Sequence, residues 1–324
     1  MFRILVIRLG ALGDFVLSFG PFASIRAAYP GAEITLLTTE PFRALAEAAP
    51  WFDRVLCDER PRMSQPVALW RLLNGLKSYD LVFDLQTSRR SARYFALAGR
   101  PCWSGAAPGC AHPHDNPWRN HMHTIVRQRD QLRRARVASI APDLSWLAAQ
   151  GPVLHEGYAV LVPGASPHRP TKRWSTTHFG RLASHLRETG LRTVVVGAQA
   201  DRHLAREIMR ECPETLDLTG QTSLPELAGL LSRATLACGN DTGPMHLAAA
   251  MGCRALVLFS GDSDPRLTAP VGRVAGAVRV LAEENLADLP VARVAALADE
   301  LAVFSGNQDF SGNQNGGTLE TAVA

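Results

Sequence analysis

The sequence is poor in the features that mark several common classes of protein. Its six cysteines, in 324 residues, form neither closely spaced zinc-type pairs nor a dense disulfide framework, which favours a reducing compartment. Long apolar runs are also lacking, so no window reaches the length needed to span a bilayer. The apolar N-terminal run is interrupted by Arg8 and Asp14, which predicts a buried strand and not a signal peptide. We therefore expect a cytoplasmic protein, with peripheral contact to a membrane surface left open.

A large excess of charge of one sign is lacking as well. The net charge of +4 gives no reason to expect a nucleic-acid partner. The charged residues are unevenly distributed along the chain, because residues 89–136 contain ten arginines but only two acidic residues, Asp115 and Asp130. Such a segment suits an anionic partner, and a solvated basic face without a partner is the alternative. Four histidines between residues 112 and 123 match no closed metal site in their spacing, so we predict no metal.

The length of the chain favours two domains. With 46% hydrophobic and 20% charged residues it can form two ordinary hydrophobic cores. We predict one domain over residues 1–150 and a second over residues 151–304, with the best linker at 142–157. Residues 305–324 repeat Ser-Gly-Asn-Gln and are predicted to be a disordered tail.

Short β-rich apolar runs alternate with helical patterns in both halves of the chain. This alternation predicts βαβ units and two parallel sheets of the α/β class. A helix is expected over residues 15–29, a long surface loop over 99–120 and a basic helix over 123–137. The strands are expected at residues 3–8, 33–38, 54–57, 80–85, 158–163, 191–197 and 255–259.

The first glycine-containing loop follows the first strand and contains Gly10, Gly13 and Asp14. In parallel sheets ligands bind beyond the carboxyl ends of the strands, which is where this loop lies. The pattern is not G-x-G-x-x-G, which argues against a nicotinamide dehydrogenase. Asp14 is either the N-cap of the following helix or a general base facing a cleft.

The stretch 237–252 (ACGNDTGPMHLAAAMG) predicts a strand, a tight polar turn and the start of a helix. The turn is expected at residues 239–241, and Pro244 suits the first helical turn. A helix N-terminus of this kind offers free backbone N–H groups to a phosphate. The simpler alternative is that Asp241 or Thr242 only caps the helix.

Together these motifs resemble glycosyltransferase family 9, whose best-known members are ADP-heptose:lipopolysaccharide heptosyltransferases. The resemblance covers about residues 1–280. The motifs that carry it are Gly13-Asp14 after a strand, Lys172-x-Trp174, residues 239–246 (GNDTGPMH) and residues 261–265 (GDSDP). The last motif departs from the commoner form of the family, and Pro244 cannot supply the N–H that some members have there.

The resemblance implies a GT-B fold, in which two Rossmann-like domains with parallel sheets face a central cleft. The first domain would bind the acceptor and the second the nucleotide sugar. Asp14 would be the catalytic base. The implied donor-binding residues are Ser166, Lys172, Gly197, Asp201, Thr222, Leu224, Asp241, Thr242, Gly243 and His246, and the implied acceptor-binding residues are Gly10, Gly13, Arg89, Arg90 and Arg93.

The implied reaction is an inverting transfer of a heptose from ADP-heptose to a lipopolysaccharide-core or related glycan. It would need no metal and no cofactor besides the nucleotide diphosphate sugar. The acceptor would be an anionic lipid-linked glycan, met by peripheral contact with the inner membrane. Two alternatives stay open here, a GT-B-like nucleotide-sugar epimerase and a non-catalytic nucleotide-binding protein.

Overall fold

The computed structural model describes residues 1–61, 64–154, 157–165 and 170–303. It divides the chain into two compact units, Met1–Trp146 and Leu147–Ala324. The predicted tail lies outside the described residues.

A six-stranded parallel sheet forms the centre of the first unit, in the order β3-β2-β1-β4-β5-β6. Strand β1 is buried because its apolar run packs on both faces, and Ile4 pairs with Ile34 on one side and Leu81 on the other. The strands are β1 Arg3–Ile7, β2 Glu33–Thr38, β3 Arg54–Cys57, β4 Leu81–Asp84, β5 Trp103–Gly105 and β6 His112–Pro113.

Helices follow the strands of this sheet. They are α1 Leu12–Val16, α2 Phe19–Ala28, α3 Arg43–Glu47, α4 Pro66–Leu76, α5 Arg89–Leu97, α6 Thr124–Arg134 and the short α7 Ser145–Ala148. Helix α7 lies within the predicted linker and contains the division between the units.

The predicted helix over residues 15–29 is wrong in its continuity, because the chain forms the two helices α1 and α2 instead. Pro21 has no N–H to donate to the carbonyl of Leu17, so the hydrogen-bond ladder is interrupted there. The hydroxyl of Ser18, at the break, donates to the carbonyl of Asp14 over 2.8 Å. The break separates the turn that bears Asp14 from the longer helix behind it.

The predicted surface loop over residues 99–120 is also wrong in part, because it contains strands β5 and β6. Trp103 in β5 is fully buried and packs against Phe95, with the ring centroids 5.5 Å apart. Strands of two or three residues carry too little periodicity to be recognised among Pro and Gly.

The second unit repeats the same architecture around a sheet ordered β12-β11-β10-β7-β8-β9. Its strands are β7 Tyr158–Val162, β8 Arg192–Val195, β9 Leu216–Asp217, β10 Leu236–Asn240, β11 Ala255–Ser260 and β12 Val278–Glu283. Its helices are α8 Thr176–Glu188, α9 Arg202–Glu211, α10 Leu224–Arg233, α11 Gly243–Ala250, α12 Pro265–Thr268 and α13 Val291–Val303.

Each sheet has one topological switch point, where the strand order reverses. In the first unit it lies between β1 and β4, and in the second between β7 and β10. Open α/β sheets bind ligands beyond the carboxyl ends of the strands at this point. Among the described residues no helix has the length and apolar character required to cross a bilayer.

Candidate functional site

Asp14 lies at the switch point of the first unit, in the first turn of α1. The N-cap of that helix is Ala11, so the interpretation of Asp14 as the N-cap is wrong. Its carboxylate is 39% exposed, and one oxygen lies 3.0 Å from Nη2 of Arg8. An accessible carboxylate at the carboxyl edge of a sheet is suited to act as a general base.

The two glycines before Asp14 shape the loop that carries it. Gly10 has a φ of +120°, and a Cβ at this position would lie 2.8 Å from Cε2 of Phe42. Only glycine combines that backbone conformation with such a close contact. Gly13 is buried within α1, so both glycines serve the conformation and packing of the loop.

Two charged residues at this edge are buried, and sequence reasoning gave neither a role. Arg8 follows β1 and is 2% exposed, and Asp84 ends β4 and is 1% exposed. Burial lowers the pKa of Arg8 and raises the pKa of Asp84 to about 6. Oδ1 of Asp84 accepts a hydrogen bond of 2.8 Å from the amide of Thr87, which only partly offsets the desolvation. The sequence does contain a signal for both residues, because each is a charged residue at the end of an apolar strand.

The raised pKa of Asp84 predicts a pH-dependent stability. Between about pH 4 and pH 6 the folded protein binds more protons than the unfolded chain, so the free energy of unfolding falls as pH rises through this window. The upper limit of the loss is about 3 kcal/mol, from roughly two pKa units. We expect Asp84→Asn to flatten this dependence in urea denaturation curves recorded from pH 4 to pH 7. An unchanged slope would show that Asp84 does not take up a proton in the folded state.

The three predicted acceptor arginines lie together on α5. Arg89 and Arg93 are exposed, whereas Nη1 of Arg90 donates to the hydroxyl of Tyr94 over 2.9 Å. That hydroxyl donates in turn to Asp58 over 2.8 Å. The three arginines line a cleft of about 480 Å³ with Pro61, Leu69, Tyr94 and Leu97. The cleft combines three arginines with mostly apolar walls, which suits an anionic ligand with a hydrophobic part.

The histidine-rich segment contains no metal site within the described parts of the chain, where no group of three or more potential ligands occurs. His114 is buried, and its Nε2 lies 3.0 Å from Oδ2 of Asp130. Oδ1 of Asp130 is 2.8 Å from Nη2 of Arg133. These contacts attach the segment to α6, and they give His114 a structural role.

In the second unit, Lys172 and Asp241 meet at the switch point. Lys172 ends a 3-10 turn after β7, Asp241 follows β10, and Nζ of Lys172 lies 2.5 Å from Oδ2 of Asp241. Their side chains are only 10% and 8% exposed. A buried ammonium group is stable only beside an anion or strong acceptors, and the carboxylate of Asp241 supplies that anion here.

The predicted turn at residues 239–241 is wrong in its first two residues, because Gly239 and Asn240 belong to β10. Asn240 is buried, and its amide donates to the carbonyl of Pro163 over 2.8 Å. The backbone amide of Trp174 donates to Oδ1 of Asn240 over 3.0 Å. Asn240 therefore fastens the loop after β7 to the end of β10. Trp174 is 1% exposed, which makes it a packing residue.

Helix α11 begins directly after this point. Its N-cap is Thr242, whose side chain makes no capping hydrogen bond, and Asp241 is engaged by Lys172. One of the two predicted caps, Thr242, thus occupies the N-cap position without a side-chain capping bond, and Asp241 pairs with Lys172 instead. Gly243 is the first helical residue, and His246 is buried in the next turn. The N-terminus of α11 thus lies beside the Lys172 ammonium group.

The predicted ribose contact, Asp201, lies at the carboxyl ends of β7 and β8. Its Oδ2 accepts from the amide of Ala198 over 2.9 Å. A Cβ at Gly197 would approach that oxygen to 2.9 Å and one at Gly164 to 3.0 Å, so both glycines make room for the carboxylate. Asp201 is the N-cap residue of α9 but its side chain does not cap that helix.

The remaining predicted donor residues lie near the next loop. Thr222 precedes α10 and Leu224 is its first residue, after the Ser223 cap. The amide of Gly220 donates to the carbonyl of Gly197 over 2.9 Å, which joins this loop to the end of β8. Ser166 lies outside the described residues.

One contact in this unit was missed by sequence reasoning. The hydroxyl of Thr171 donates to the carboxylate of Asp262. It joins the loop after β7 to the loop after β11 and lies next to Lys172. The motif at residues 261–265 indicated that the second loop matters, but 91 residues separate the partners and no local pattern connects them.

The chemistry available at the two switch points differs. The first offers an accessible carboxylate, and the second offers an ammonium group beside a helix N-terminus. A carboxylate can take a proton from a hydroxyl, and the cationic arrangement can stabilise charge on a phosphate leaving group.

Comparisons with known proteins agree with these features. The sequence profile of glycosyltransferase family 9 (heptosyltransferase) matches residues 67–293. That range contains Lys172 and Asp241 but not Asp14. Lipooligosaccharide heptosyltransferase 2 of Haemophilus influenzae is 26% identical over 87% of this chain and 90% of its own length.

Solved structures agree as well. The E. coli ADP-heptose LPS heptosyltransferase II has a TM-score of 0.75 at 22% identity, over 93% of this chain and 98% of its own. The E. coli heptosyltransferase WaaC with ADP also has a TM-score of 0.75, at 19% identity over 93% and 100%. These likenesses confirm the predicted fold, two Rossmann-like α/β units of the GT-B type.

Proposed function

Because the chain belongs to glycosyltransferase family 9, the heptosyltransferases, we propose that it transfers a heptose from ADP-heptose to a lipopolysaccharide-core or related acceptor. Family membership confirms the predicted heptosyltransferase over the nucleotide-sugar epimerase and the non-catalytic binding protein. The finer assignment of donor, acceptor and residue roles is the proposal.

The observation that carries the proposal is the position of Lys172 beside the N-terminus of α11 at the switch point of the second unit. We assign the donor diphosphate to this place. Lys172, Thr242 and Gly243 hold it, and Asp241 keeps the ammonium group in place until the phosphate arrives. WaaC, which shares the fold, has been solved with ADP, in keeping with an adenine nucleotide as the donor.

Departure of the diphosphate begins the chemical step. The bond between the anomeric carbon and the diphosphate oxygen breaks, and its electron pair leaves with that oxygen. Lys172 and the dipole of α11 stabilise the resulting charge, so we propose that no divalent metal is required.

Attack on the anomeric carbon completes the transfer. The acceptor hydroxyl forms the new C–O bond from the face opposite the leaving group, which inverts the configuration. Asp14 takes the proton of that hydroxyl, a contribution of roughly 10²- to 10⁴-fold. One C–O bond forms, one breaks, and the proton goes to the carboxylate.

The rest of the donor is assigned to neighbouring loops. Asp201, held beside Gly197, takes the ribose hydroxyls as hydrogen-bond acceptor. Thr222 and Leu224 line the base pocket. His246 lies near the sugar, and Ser166 completes the phosphate contacts.

The acceptor is assigned to the first unit. The cleft on α5 supplies Arg89, Arg90 and Arg93 for carboxylate or phosphate groups. Gly10 and Gly13 shape the loop that carries Asp14 toward the acceptor. A lipid-linked acceptor also requires the protein to reach a membrane surface, and we propose a peripheral location on the cytoplasmic face of the inner membrane.

We propose that the contact surface is the exposed face of α4, next to the arginine cleft. Val67 and Trp70 are one helical turn apart and are 62% and 64% exposed. The sequences of α4 and α5 contain no acidic residue. Exposed aromatic and apolar side chains beside arginines are suited to an anionic bilayer interface.

A vesicle-binding experiment tests this surface. We expect the double variant Val67→Ser with Trp70→Ser to bind phosphatidylglycerol vesicles about 10-fold or more weakly, since burial of two large apolar side chains is lost. Binding of the unaltered protein should fall with salt. The matched control is Trp118→Ser, which removes a tryptophan that is 69% exposed outside α4. An equal loss in both variants would contradict the assignment to α4.

The proposed activity itself is tested by nucleotide release. The purified protein is incubated with ADP-heptose, ADP-glucose or UDP-N-acetylglucosamine, with and without a heptose-deficient core glycolipid, in one series with EDTA and in a parallel series with a divalent metal. We expect ADP to be released only from ADP-heptose and only when acceptor is present. Release that requires a divalent metal, or a preference for another donor, would refute the corresponding part of the proposal.

A further inference from the structure

The buried arginine of the first unit, Arg8, has no part in the reaction as described so far. Its side chain is 3% exposed, and its backbone amide donates to the carbonyl of Leu37 over 3.0 Å. Placing a guanidinium group in the interior is costly, and it is tolerated only where hydrogen bonds and an opposite charge compensate. Its contacts therefore indicate what the buried charge does.

The guanidinium group connects the sheet with the loop that bears the proposed base. Nη1 donates to the carbonyl of Leu85 over 2.6 Å, at the end of β4. Nη2 lies 3.0 Å from Oδ1 of Asp14. Since Leu85 follows a central strand, the guanidinium group has a rigid backbone anchor on one side and the carboxylate on the other.

Two other charged groups face Arg8 from neighbouring elements. Arg127, on α6, opposes its positive charge, and Asp84, on β4, favours it. Oδ1 of Asp84 accepts a hydrogen bond from the backbone amide of Thr87. The carboxylate of Asp14, by contrast, is in direct contact with the guanidinium group of Arg8. Among these carboxylates, Asp14 is the ion-pair partner of Arg8.

We propose that Arg8 is a positioning residue that holds the carboxylate of Asp14 in the orientation in which it accepts the acceptor proton. This inference rests on the proposed role of Asp14 as the base. A carboxylate that is 39% exposed on the first turn of a helix can adopt several rotamers, and an ion pair with a buried guanidinium group that is anchored on Leu85 restricts them. Because general-base catalysis depends on geometry, loss of this restraint lowers turnover while leaving substrate binding intact.

The test compares Arg8→Ala and Arg8→Lys with the unaltered enzyme, using ADP-heptose and the core glycolipid. We expect kcat to fall about 10- to 100-fold in Arg8→Ala, with KM values nearly unchanged. Mutation of outer-shell residues that orient metal-ligating side chains lowers activity by a similar factor. Arg8→Lys keeps the charge but cannot contact Leu85 and Asp14 through two separate nitrogens, so its kcat should lie between those of the unaltered enzyme and Arg8→Ala. Added guanidinium should raise the kcat of Arg8→Ala, and urea, its neutral counterpart, should not.

A matched control is Arg26, which also joins a carboxylate to backbone carbonyls in the same unit. Its guanidinium group contacts Asp53 over 2.5 Å and the carbonyl of Trp51 over 3.0 Å. Arg26→Ala should lower the melting temperature but leave the kcat of the folded enzyme unchanged. If Arg8→Ala behaves like Arg26→Ala, Arg8 is structural and the inference is overturned.

A double-mutant cycle separates this inference from the proposed function. In an Asp14→Asn background, Arg8→Lys should cause no further loss of kcat, because it acts through the carboxylate that is already absent. A full additional loss would show that Arg8 acts elsewhere and would overturn the inference alone. An Asp14→Asn enzyme with normal turnover would instead remove Asp14 from its proposed role.

Discussion

Replacing Asp14 by Asn is expected to lower kcat by roughly 10²- to 10⁴-fold, the usual contribution of a general base. The amide has the same shape as the carboxylate but cannot take up the proton of the acceptor hydroxyl. Asp14 does not cap α1, so no helix cap is lost. The amide no longer compensates the buried charge of Arg8, so the melting temperature should fall, whereas the affinity for ADP should change little. Steady-state kinetics with saturating donor and acceptor measures the effect.

The matched control for this experiment is Glu47→Gln. Glu47 is another carboxylate of the first unit paired with an arginine, at 3.3 Å from Arg43, and it lies on the surface. It should keep normal turnover. An Asp14→Asn enzyme that turns over as fast as the Glu47 variant would exclude Asp14 as the base.

Replacing Lys172 by Ala is expected to weaken ADP binding by roughly 10²- to 10³-fold. Truncating one partner of a buried charge pair costs about 2–5 kcal/mol, and here the loss leaves Asp241 beside the incoming phosphate. ADP binding is weakened both by the loss of the ammonium group and by repulsion from the uncompensated carboxylate of Asp241. Isothermal titration calorimetry with ADP in EDTA measures the effect.

The chain offers an unusually clean control, because Lys77 is the only other lysine in the sequence. Lys77 is exposed at the end of α4, and Lys77→Ala should bind ADP normally. ADP should also protect Lys172, but not Lys77, from an amine-reactive reagent in a peptide-mapping experiment. Equal affinity of the two variants for ADP would remove Lys172 from the phosphate site.

Sequence reasoning predicted the parts of the fold that have long periodic patterns. The buried strands β1, β2 and β7 are five or six residues long and mostly apolar, so they stand out from their surroundings. Strands β5, β6 and β9 are two or three residues long, and β12 is only partly buried. These elements depend on pairing with a neighbouring strand, which a local pattern does not record.

Hydrogen bonding within the chain explains the other differences. The split between α1 and α2 follows from one missing N–H at Pro21, a signal that the apolar periodicity concealed. Gly239 and Asn240 look like turn residues, but the side chain of Asn240 satisfies two backbone groups of the loop after β7. Tertiary partners thus overrode the turn propensity of Asn-Asp.

The sequence predicted which residues form the candidate site but not which of them contact each other. The motifs indicated Asp14, Lys172 and Asp241, and their local positions follow from the strands that precede them. The contact of Lys172 with Asp241 joins residues 69 apart, so no local pattern predicts it. Arg8 is only six residues from Asp14, but its hydrogen bond to the carbonyl of Leu85 joins residues 77 apart. Such partners emerge only when the sheet is assembled.

The most direct test of heptosyl transfer is analysis of the acceptor itself. Heptose-deficient core glycolipid is incubated with ADP-heptose and the enzyme, and the product is examined by mass spectrometry and by NMR of the new anomeric centre. We expect a mass increase of one heptose residue, with an anomeric configuration opposite to that of the donor. An unchanged acceptor mass would contradict the proposed heptosyl transfer, and a retained configuration would contradict direct displacement assisted by Asp14.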